Sequence, residues 1–308
     1  MLKNKDVISM QDLTKDEIIE ILQTARFMKN IVVSGNKKAP NLQGKSVVTL
    51  FYENSTRTRM SFELASKYMS SASANIAASA SSVAKGETLI DTGKTLDMMG
   101  TDIIIIRHPM SGAPALLAKH VNASVINAGD GMNEHPSQAL LDMFTILEHK
   151  ESLEGLKVAI IGDVFHSRVA RSNMWGLSKM GAQVVLASPP TLMPLYMQDT
   201  LPGIKVTYDV AEAVRDADVV MCLRIQKERQ HAGLFPSVRE YADFFGIDNK
   251  KLALAKKDAI VMHPGPMNRG TEISSYTADG PQSVITQQVQ SGVAVRMALL
   301  HLLTRRDV

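Results

Sequence analysis

The sequence predicts an α/β architecture: two doubly wound parallel-sheet domains of similar size, joined by helices. Three observations support this. Short apolar runs with strand character recur from Ser46 to Met262. Helical segments separate most of them, and that alternation is the mark of β-α-β units. The chain has 308 residues, enough for two domains at roughly 100–200 residues each.

Taken in order, Thr14-Lys15-Asp16-Glu17 forms a capping box, in which the threonine hydroxyl and glutamate carboxylate close the first helical turn. Ile18, Ile21, Leu22, Ala25 and Met28 follow at helical spacing. Ser46 to Phe51 is a strongly β-forming run, leading through Tyr52-Glu53-Asn54 and Ser55-Thr56-Arg57-Thr58-Arg59 into a helix ending near Met69. Ser70 to Ser82, rich in Ser and Ala, suits a mobile loop. Further strands are predicted at Asp102–Arg107, Ser124–Asn127, Leu156–Gly162, Gln183–Ala187, Asp218–Leu223 and Ala259–Met262. Ser137 to Glu148 is the predicted linking helix, and Val293 to Leu303 a closing apolar helix that returns to the first half. The expected division is therefore 1–135 plus 290–308 for one domain and 136–289 for the other.

Hydrophobic residues make up 45% and charged residues 21%, the composition of a chain able to bury a full core. With 34 Lys+Arg against 31 Asp+Glu, the net charge of +3 gives no electrostatic footprint for nucleic acid. Cys222 is the only cysteine, so no intrachain disulfide is expected. The first residues lack the apolar core of a signal peptide, and no apolar run approaches the ~20 residues that span a bilayer. A cytoplasmic protein without membrane association is the expectation. The eight histidines show no zinc-type spacing, and neither metal nor organic cofactor is expected.

In open parallel sheets, ligands bind beyond the carboxyl ends of the strands. Ser55 to Arg59 stands at such a place, between a strand and a helix. A helix start offers unpaired N–H groups and a positive dipole end. Three hydroxyls and two guanidiniums in five residues add donors matched to phosphate oxygens. A lone Ser-Thr pair there would be an ordinary helix cap; the whole pentapeptide directly after a strand reads as a phosphate site. Gly93-Lys94-Thr95 is not the end of a Walker loop, because Thr88 stands where the partner glycine belongs. Only one glycine, Gly162, sits in the strand-end segment Ile161 to Val164, so a dinucleotide fingerprint is missing there.

The pentapeptide resembles the phosphate signature of the aspartate and ornithine carbamoyltransferases, and later motifs follow in that family's order along essentially the whole chain. The resemblance implies a first domain for carbamoyl phosphate and a second for the amine substrate. It assigns Ser55, Thr56, Arg57, Thr58 and Arg107 to carbamoyl phosphate. Thr58, Arg107 and His135 become donors to the oxyanion that forms when the carbonyl is attacked, and Gln138 binds the carbamoyl NH2 through its side-chain oxygen. Ser81 to Thr88 is similar to a loop that reaches into a neighbouring subunit's site. Ser81 and Lys85 would thus serve an adjacent protomer of a homotrimer, Lys85 bridging phosphate and a substrate carboxylate.

In the second half, the resemblance gives Arg168 the α-carboxylate of aspartate, with Arg171 structural, and gives Arg224 and Gln226 the β-carboxylate. The carbonyls of Pro264 and Gly265, in His263-Pro264-Gly265-Pro266, would accept from the carbamoyl NH2 or the attacking amine. Arg168, Arg224 and Lys85 suit a dicarboxylate, whereas the ornithine branch carries a His-Cys-Leu-Pro loop whose cysteine is absent here. Aspartate is therefore the expected acceptor and ornithine the alternative. Part of the aspartate branch reads His-Pro-Leu-Pro-Arg in this loop; the departure here leaves a regulatory chain or a dihydroorotase as open partner questions.

Overall fold

A computed structural model of the protein describes residues 2–77, 86–226 and 237–305. The first helix, α1 (Lys15–Val33), opens with the full capping box: the Thr14 side chain accepts from the Glu17 N–H and the Glu17 carboxylate from the Thr14 N–H. Then come β1 (Ser46–Phe51), α2 (Thr56–Tyr68), β2 (Ala72–Ala77), α3 (Leu89–Met98), β3 (Ile103–His108), α4 (Ala113–Ala118), β4 (Ser124–Asp130) and α5 (Pro136–His149). The chain continues with β5 (Lys157–Ile161), α6 (Arg168–Lys179), β6 (Gln183–Ala187), β7 (Ile204–Thr207), α7 (Val210–Val214) and β8 (Val219–Cys222). It closes with α8 (Val238–Phe245), α9 (Asn249–Leu252), β9 (Ile260–Met262), α10 (Ser275–Ala278) and α11 (Ile285–Thr304).

Two compact units result, Met1–Phe144 with Val289–Val308, and Thr145–Gln288. The divisions fall inside α5, after Phe144, and inside α11, before Val289. One reason is packing: Leu141 of α5 lies close beside Gly292 of α11, which ties the first half of α5 to the first unit.

The first unit holds a parallel sheet in the order β2-β1-β3-β4. β3 is four consecutive isoleucines at its start, all buried, as a strand covered on both faces requires. Val48, Leu50, Ile104, Ile106 and Val125 share one face and pack with Leu96 of α3 and Leu117 of α4. Gly93 of α3 belongs to this packing, since a Cβ there would come within 2.2 Å of the Leu117 side chain. That explains a glycine which only superficially resembles a phosphate loop.

The expected loop over Ser70–Ser82 is corrected in part. Residues Ala72 to Ala77 form β2 and pair in parallel register with β1, Ser46 opposite Ala72. Alternating small residues hide strand character, which here comes from the β1 edge. The second strand missing from the sequence reading, β7, is also a short edge strand.

The second unit has five parallel strands in the order β7-β6-β5-β8-β9. Its core runs through Ala159, Ile161, Val185, Val220, Cys222 and Val261, covered by α7 and α9 residues.

Each sheet winds in two directions. In the first unit, β2 lies on one side of β1 and β3-β4 on the other; in the second, β6-β7 lie on one side of β5 and β8-β9 on the other. The topological switch points are therefore β1/β3 and β5/β8, the places where an α/β sheet opens a crevice at its carboxyl edge.

Candidate active site

In the first unit, both strands at the switch point end in predicted site residues. β1 runs out at Phe51, whose register partner on β3 is Arg107. The Tyr52 N–H donates to the Arg107 carbonyl at 2.8 Å, so the two strand ends are pinned together. Ser55 takes the N-cap of α2 in an extended conformation, and its hydroxyl makes no capping bond; the group is not spent on the helix end. Thr56 and Arg57 are exposed in the first turn, while Thr58 is buried. Arg59 faces along the helix, with Nε 4.0 Å from the Glu63 carboxylate. Glu63 is itself held by Asn75 of β2 at 2.6 Å. Of the two arginines in the pentapeptide, Arg57 is the one at the helix mouth.

The Arg107 guanidinium is fixed from two sides. Nη1 donates to the Ala128 carbonyl on β4 at 3.3 Å, and Nε lies 3.2 Å from the Glu53 carboxylate. Glu53 thus holds the guanidinium in place from its Nε side.

His135 comes from the turn after β4, and Asp130 shapes that turn. The Asp130 carboxylate accepts from the Glu134 N–H at 3.0 Å, the Gly112 N–H at 2.7 Å and both Asn127 and Asn133 side chains. Glu134 in turn accepts from the Ser9 hydroxyl and, at 2.9 Å, from the Met10 N–H. His135 is buried, its Nδ1 3.4 Å from the Ser137 hydroxyl. One turn into α5, the Gln138 amide nitrogen donates to Asp142 at 2.9 Å. Arg107 stands at the carboxyl end of β3, and Ser55, Thr56, Arg57, Thr58, His135 and Gln138 follow the carboxyl ends of β1 and β4 in the same parallel sheet.

The second unit repeats the plan with different materials. Gly162 follows β5 with φ +131°, and a Cβ there would lie 2.9 Å from the Leu223 carbonyl. Glycine at this position lets the β5 and β8 exits run side by side. Asp163, fully buried, accepts from the His166 N–H at 3.1 Å and from His166 Nδ1 at 2.9 Å. Ser167 caps α6 by accepting from the Ala170 N–H, and Arg168 is the first residue of that helix, buried to 5% exposure. Arg171, one turn on, donates to the Phe165 carbonyl at 3.1 Å. Burial lowers its pKa against the opposing charge of Asp163. The bond to Phe165 ties Arg171 to the turn before α6.

Beyond β8, Leu223 and Ile225 are buried while Arg224 and Gln226 are half-buried, the alternation of an extended chain. The Gln226 N–H reaches Asp163 at 3.4 Å, and its amide nitrogen donates to the His166 carbonyl at 3.0 Å. After β9, the Gly265 N–H donates to His263 Nδ1 at 2.8 Å. The ring hydrogen must then sit on Nε2, which lies 3.2 Å from Glu272. The same glutamate oxygen takes the Asn268 N–H at 2.5 Å. This knot, with Gly265 at φ +64°, sets the direction of the Pro264 and Gly265 carbonyls.

Ser81 and Lys85 lie outside the described residues. Cys222 is fully buried and burial pushes its thiol up, which removes it as a nucleophile. Sequence reading passed over the acids that hold the site groups: Glu53, Asp130, Asp142, Asp163 and Glu272. Glu53 and Asp163 stand beside the motifs and had some signal; Asp142 and Glu272 become visible only once helix phase and loop folding are known. Among the described residues, no helix is long and apolar enough to cross a membrane.

Residues 5–148 match the family model described as aspartate/ornithine carbamoyltransferase, carbamoyl-P binding domain, and residues 154–303 match that of the Asp/Orn binding domain. The chain is 68% identical over 307 residues to the aspartate carbamoyltransferase catalytic subunit of Acetivibrio thermocellus, covering 100% of this chain and 98% of that protein. It is equally 68% identical to that of Ruminiclostridium cellulolyticum, over 100% and 97% of the two chains. Among solved structures, aspartate transcarbamoylase from Trypanosoma cruzi in complex with carbamoyl phosphate and aspartate superposes with a TM-score of 0.88 at 32% identity, covering 97% of each chain. Ornithine carbamoyltransferase from Pyrococcus furiosus gives 0.87 at 31% identity over 98% of each chain. Backbone similarity alone therefore does not separate the two acceptors.

Proposed function

The chain belongs to the aspartate/ornithine carbamoyltransferase family, and on that footing we infer that it transfers the carbamoyl group of carbamoyl phosphate to the amine of L-aspartate, giving N-carbamoyl-L-aspartate and phosphate. The observation that carries this reading is the pairing of an uncapped hydroxyl-rich helix start after β1 with Arg107 in register on β3.

In this reading Ser55, Thr56, Arg57 and Thr58 bind the phosphate through hydroxyls, N–H groups and one guanidinium, with Arg107 reaching phosphate and carbonyl oxygen. The aspartate amine, neutral at attack, adds to the carbonyl carbon. Negative charge develops on the carbonyl oxygen, and Thr58, Arg107 and His135 donate to it; one such donor contributes about 2.7–4 kcal/mol of barrier lowering. Gln138 accepts from the carbamoyl NH2, and the Pro264 and Gly265 carbonyls accept from that NH2 or from the amine. Arg168 binds the α-carboxylate, Arg224 and Gln226 the β-carboxylate, as charge-assisted hydrogen bonds favour. The intermediate collapses, the C–O bond to phosphate breaks, and phosphate leaves carrying the electron pair. The proton lost by the attacking nitrogen passes to the departing phosphate. The mixed anhydride is already activated, so the step needs no cofactor.

Further parts of the reading rest on family resemblance. The enzyme is a cytoplasmic homotrimer, with Ser81 and Lys85 completing a neighbouring subunit's site, and it serves an early step of pyrimidine synthesis. Mixing an Arg57→Ala protein with a Lys85→Ala protein then regains activity through hybrid sites; a mixture as inactive as its components overturns site sharing.

The main test supplies purified protein with carbamoyl phosphate and either L-aspartate or L-ornithine. N-carbamoyl-aspartate and stoichiometric phosphate are expected with aspartate alone. Citrulline formation would establish the ornithine alternative, and no phosphate release above background would end both.

A further inference from the structure

A buried polar chain behind Gln138 has no part in the chemistry above. Gln138 and Asp142 lie one turn apart on α5, so their side chains share a face. The Gln138 amide nitrogen donates to Asp142 Oδ1 at 2.9 Å, and Asp142 is fully buried. A carboxylate offers acceptors only. It can hold the nitrogen end of the amide and must repel the oxygen end, which is thereby turned away from it.

Arg296 of α11 is a buried cation that feels the Asp142 charge electrostatically. Burial lowers the guanidinium to about 10, so it still carries its charge at neutral pH. Its Nη1 donates to the Ser61 hydroxyl at 2.7 Å, and its plane lies 5.0 Å over the Phe62 ring. Ser61 and Phe62 sit on α2, one turn beyond Thr58. Gly292 leaves the space, since a Cβ there would fall 2.7 Å from Arg296 Nη1. Two hydrogen bonds thus stand behind the site, Gln138 to Asp142 within α5 and Arg296 to Ser61 between α11 and α2.

We propose that Asp142 is a positioning residue that fixes the acyl-group specificity of the reaction. By holding the Gln138 nitrogen it presents the Gln138 oxygen, which selects an acyl phosphate bearing –NH2 over one bearing –CH3. This rests on the reading of Gln138 as the acceptor for the carbamoyl NH2. Replacing Asp142 by Asn exchanges one of two acceptor oxygens for an NH2. The positive field of buried Arg296 favours the amide oxygen on its side and leaves the NH2 for Gln138, so the Gln138 amide rotates and offers a donor where an acceptor stood. Carbamoyl phosphate then meets donor against donor, while the methyl of acetyl phosphate loses nothing.

The test measures kcat/KM and competitive inhibition constants of the full chain for carbamoyl phosphate and acetyl phosphate, with aspartate as acceptor. The readout is the ratio between the two. D142N is expected to lower the carbamoyl preference at least tenfold, while Asp142→Glu, which keeps acceptor and charge, restores most of it. Gln138→Met, similar in shape but with no acceptor, is expected to lower the preference equally, and the double variant no further.

An unchanged ratio in Gln138→Met overturns the Gln138 reading itself. A ratio that falls in Gln138→Met but not in D142N overturns the Asp142 proposal alone, as does a D142N protein weakened equally toward both phosphates. Where D142N is not recovered folded, Arg296→Lys stands in, because it keeps the buried charge but loses the planar fork. A lowered preference supports the proposal and an unchanged one counts against it.

Discussion

In the first unit most of the residues proposed to meet the anion stand on regular structure: Thr56 to Thr58 open α2, Arg107 lies within β3, and Gln138 belongs to α5, while Ser55 caps α2 and His135 sits in the turn before α5. In the second unit only Arg168 does. Arg224, Gln226, Pro264 and Gly265 are on strand-exit loops whose shape comes from buried acids, Asp163 beneath His166 and Gln226, and Glu272 beneath His263 and Asn268. Both units use the switch point of a parallel sheet, so topology provides the location in each. The first places most of these residues by hydrogen-bonded backbone, with one side-chain knot on Asp130 before His135; the second relies mainly on side-chain knots. Such a knot costs more to break, because its acids and histidines are buried. A helix start tolerates loss of a side chain, since its backbone bonds remain.

The comparison predicts that damage to the first unit's site will show in rate and damage to the second's supports will show in stability. The largest effect is expected from Arg57→Ala. Removing one preorganised cation from the developing charge should lower kcat about 10²–10³-fold. The midpoint of urea unfolding should hardly move, because Arg57 is an exposed first-turn residue. A kcat within threefold of the parent would break the assignment; an unfolding midpoint that falls with activity would break the contrast between the units.

Next in size is Glu272→Ala. It leaves the Asn268 N–H and the His263 Nε2–H, both inside the knot, without their acceptor. At about 1–3 kcal/mol per buried donor left unmade, denaturant unfolding should show a loss of about 2–4 kcal/mol. Glu272→Gln should cost less, because its amide oxygen still accepts from both donors. Equal losses in the two variants would mean that the charge, not the acceptor, holds the loop.

Arg224→Ala should follow, with the aspartate KM raised about 10–100-fold, as losing a charged hydrogen bond of about 1.5–3 kcal/mol implies. The carbamoyl phosphate KM should stay put. If both KM values rise together, Arg224 supports the fold of the exit loop and does not bind the β-carboxylate.

The same contrast governs what the sequence disclosed. The strand–Ser55 to Arg59–helix unit was legible because a helix start is a local object: five neighbouring residues carry its donors, its dipole and its phase. Arg107 was legible for the same reason, at the end of four isoleucines. Arg224 and Gln226 could be placed on one side by strand alternation alone. What was hidden is non-local. Glu272 meets His263 only after the chain has turned through Gly265 and Gly270, both with positive φ. Asp142 and Arg296 are far apart in the chain, on helices whose contact no spacing rule encodes. β2 escaped because alternating Ala and Ser lack the β-branched and aromatic residues on which strand propensity rests; pairing with β1 decides its conformation.

The smallest effect distinguishes the units by pH. Burial holds His108, at the end of β3, below the ordinary histidine value, with Glu53 and Asp130 pulling the other way. Its Nδ1 accepts the Met110 N–H at 3.0 Å and its ring lies 4.5 Å from that of Tyr52, so the neutral form fits the fold. His301 of α11 is lowered in the same direction, by burial and by Arg305. A lowered base binds fewer protons folded than unfolded once the pH drops through the unfolded value near 6.5. Stability contributed by the neutral ring is thus complete above that pH and is lost progressively below it, down to the folded pKa. Two carboxylates lie outside this window. Burial would raise Asp102 and Glu17, yet the N–H groups of Ser46 and Thr14 and nearby lysines hold both below their ordinary values, so both titrate at lower pH. Unfolding midpoints measured from pH 7.5 to 5.5 should therefore fall for the parent chain and fall less for His108→Asn, whose amide oxygen can still accept from Met110. A parallel decline in the two would put the acid sensitivity elsewhere, and a steeper one in the variant would reverse the sign argued for His108.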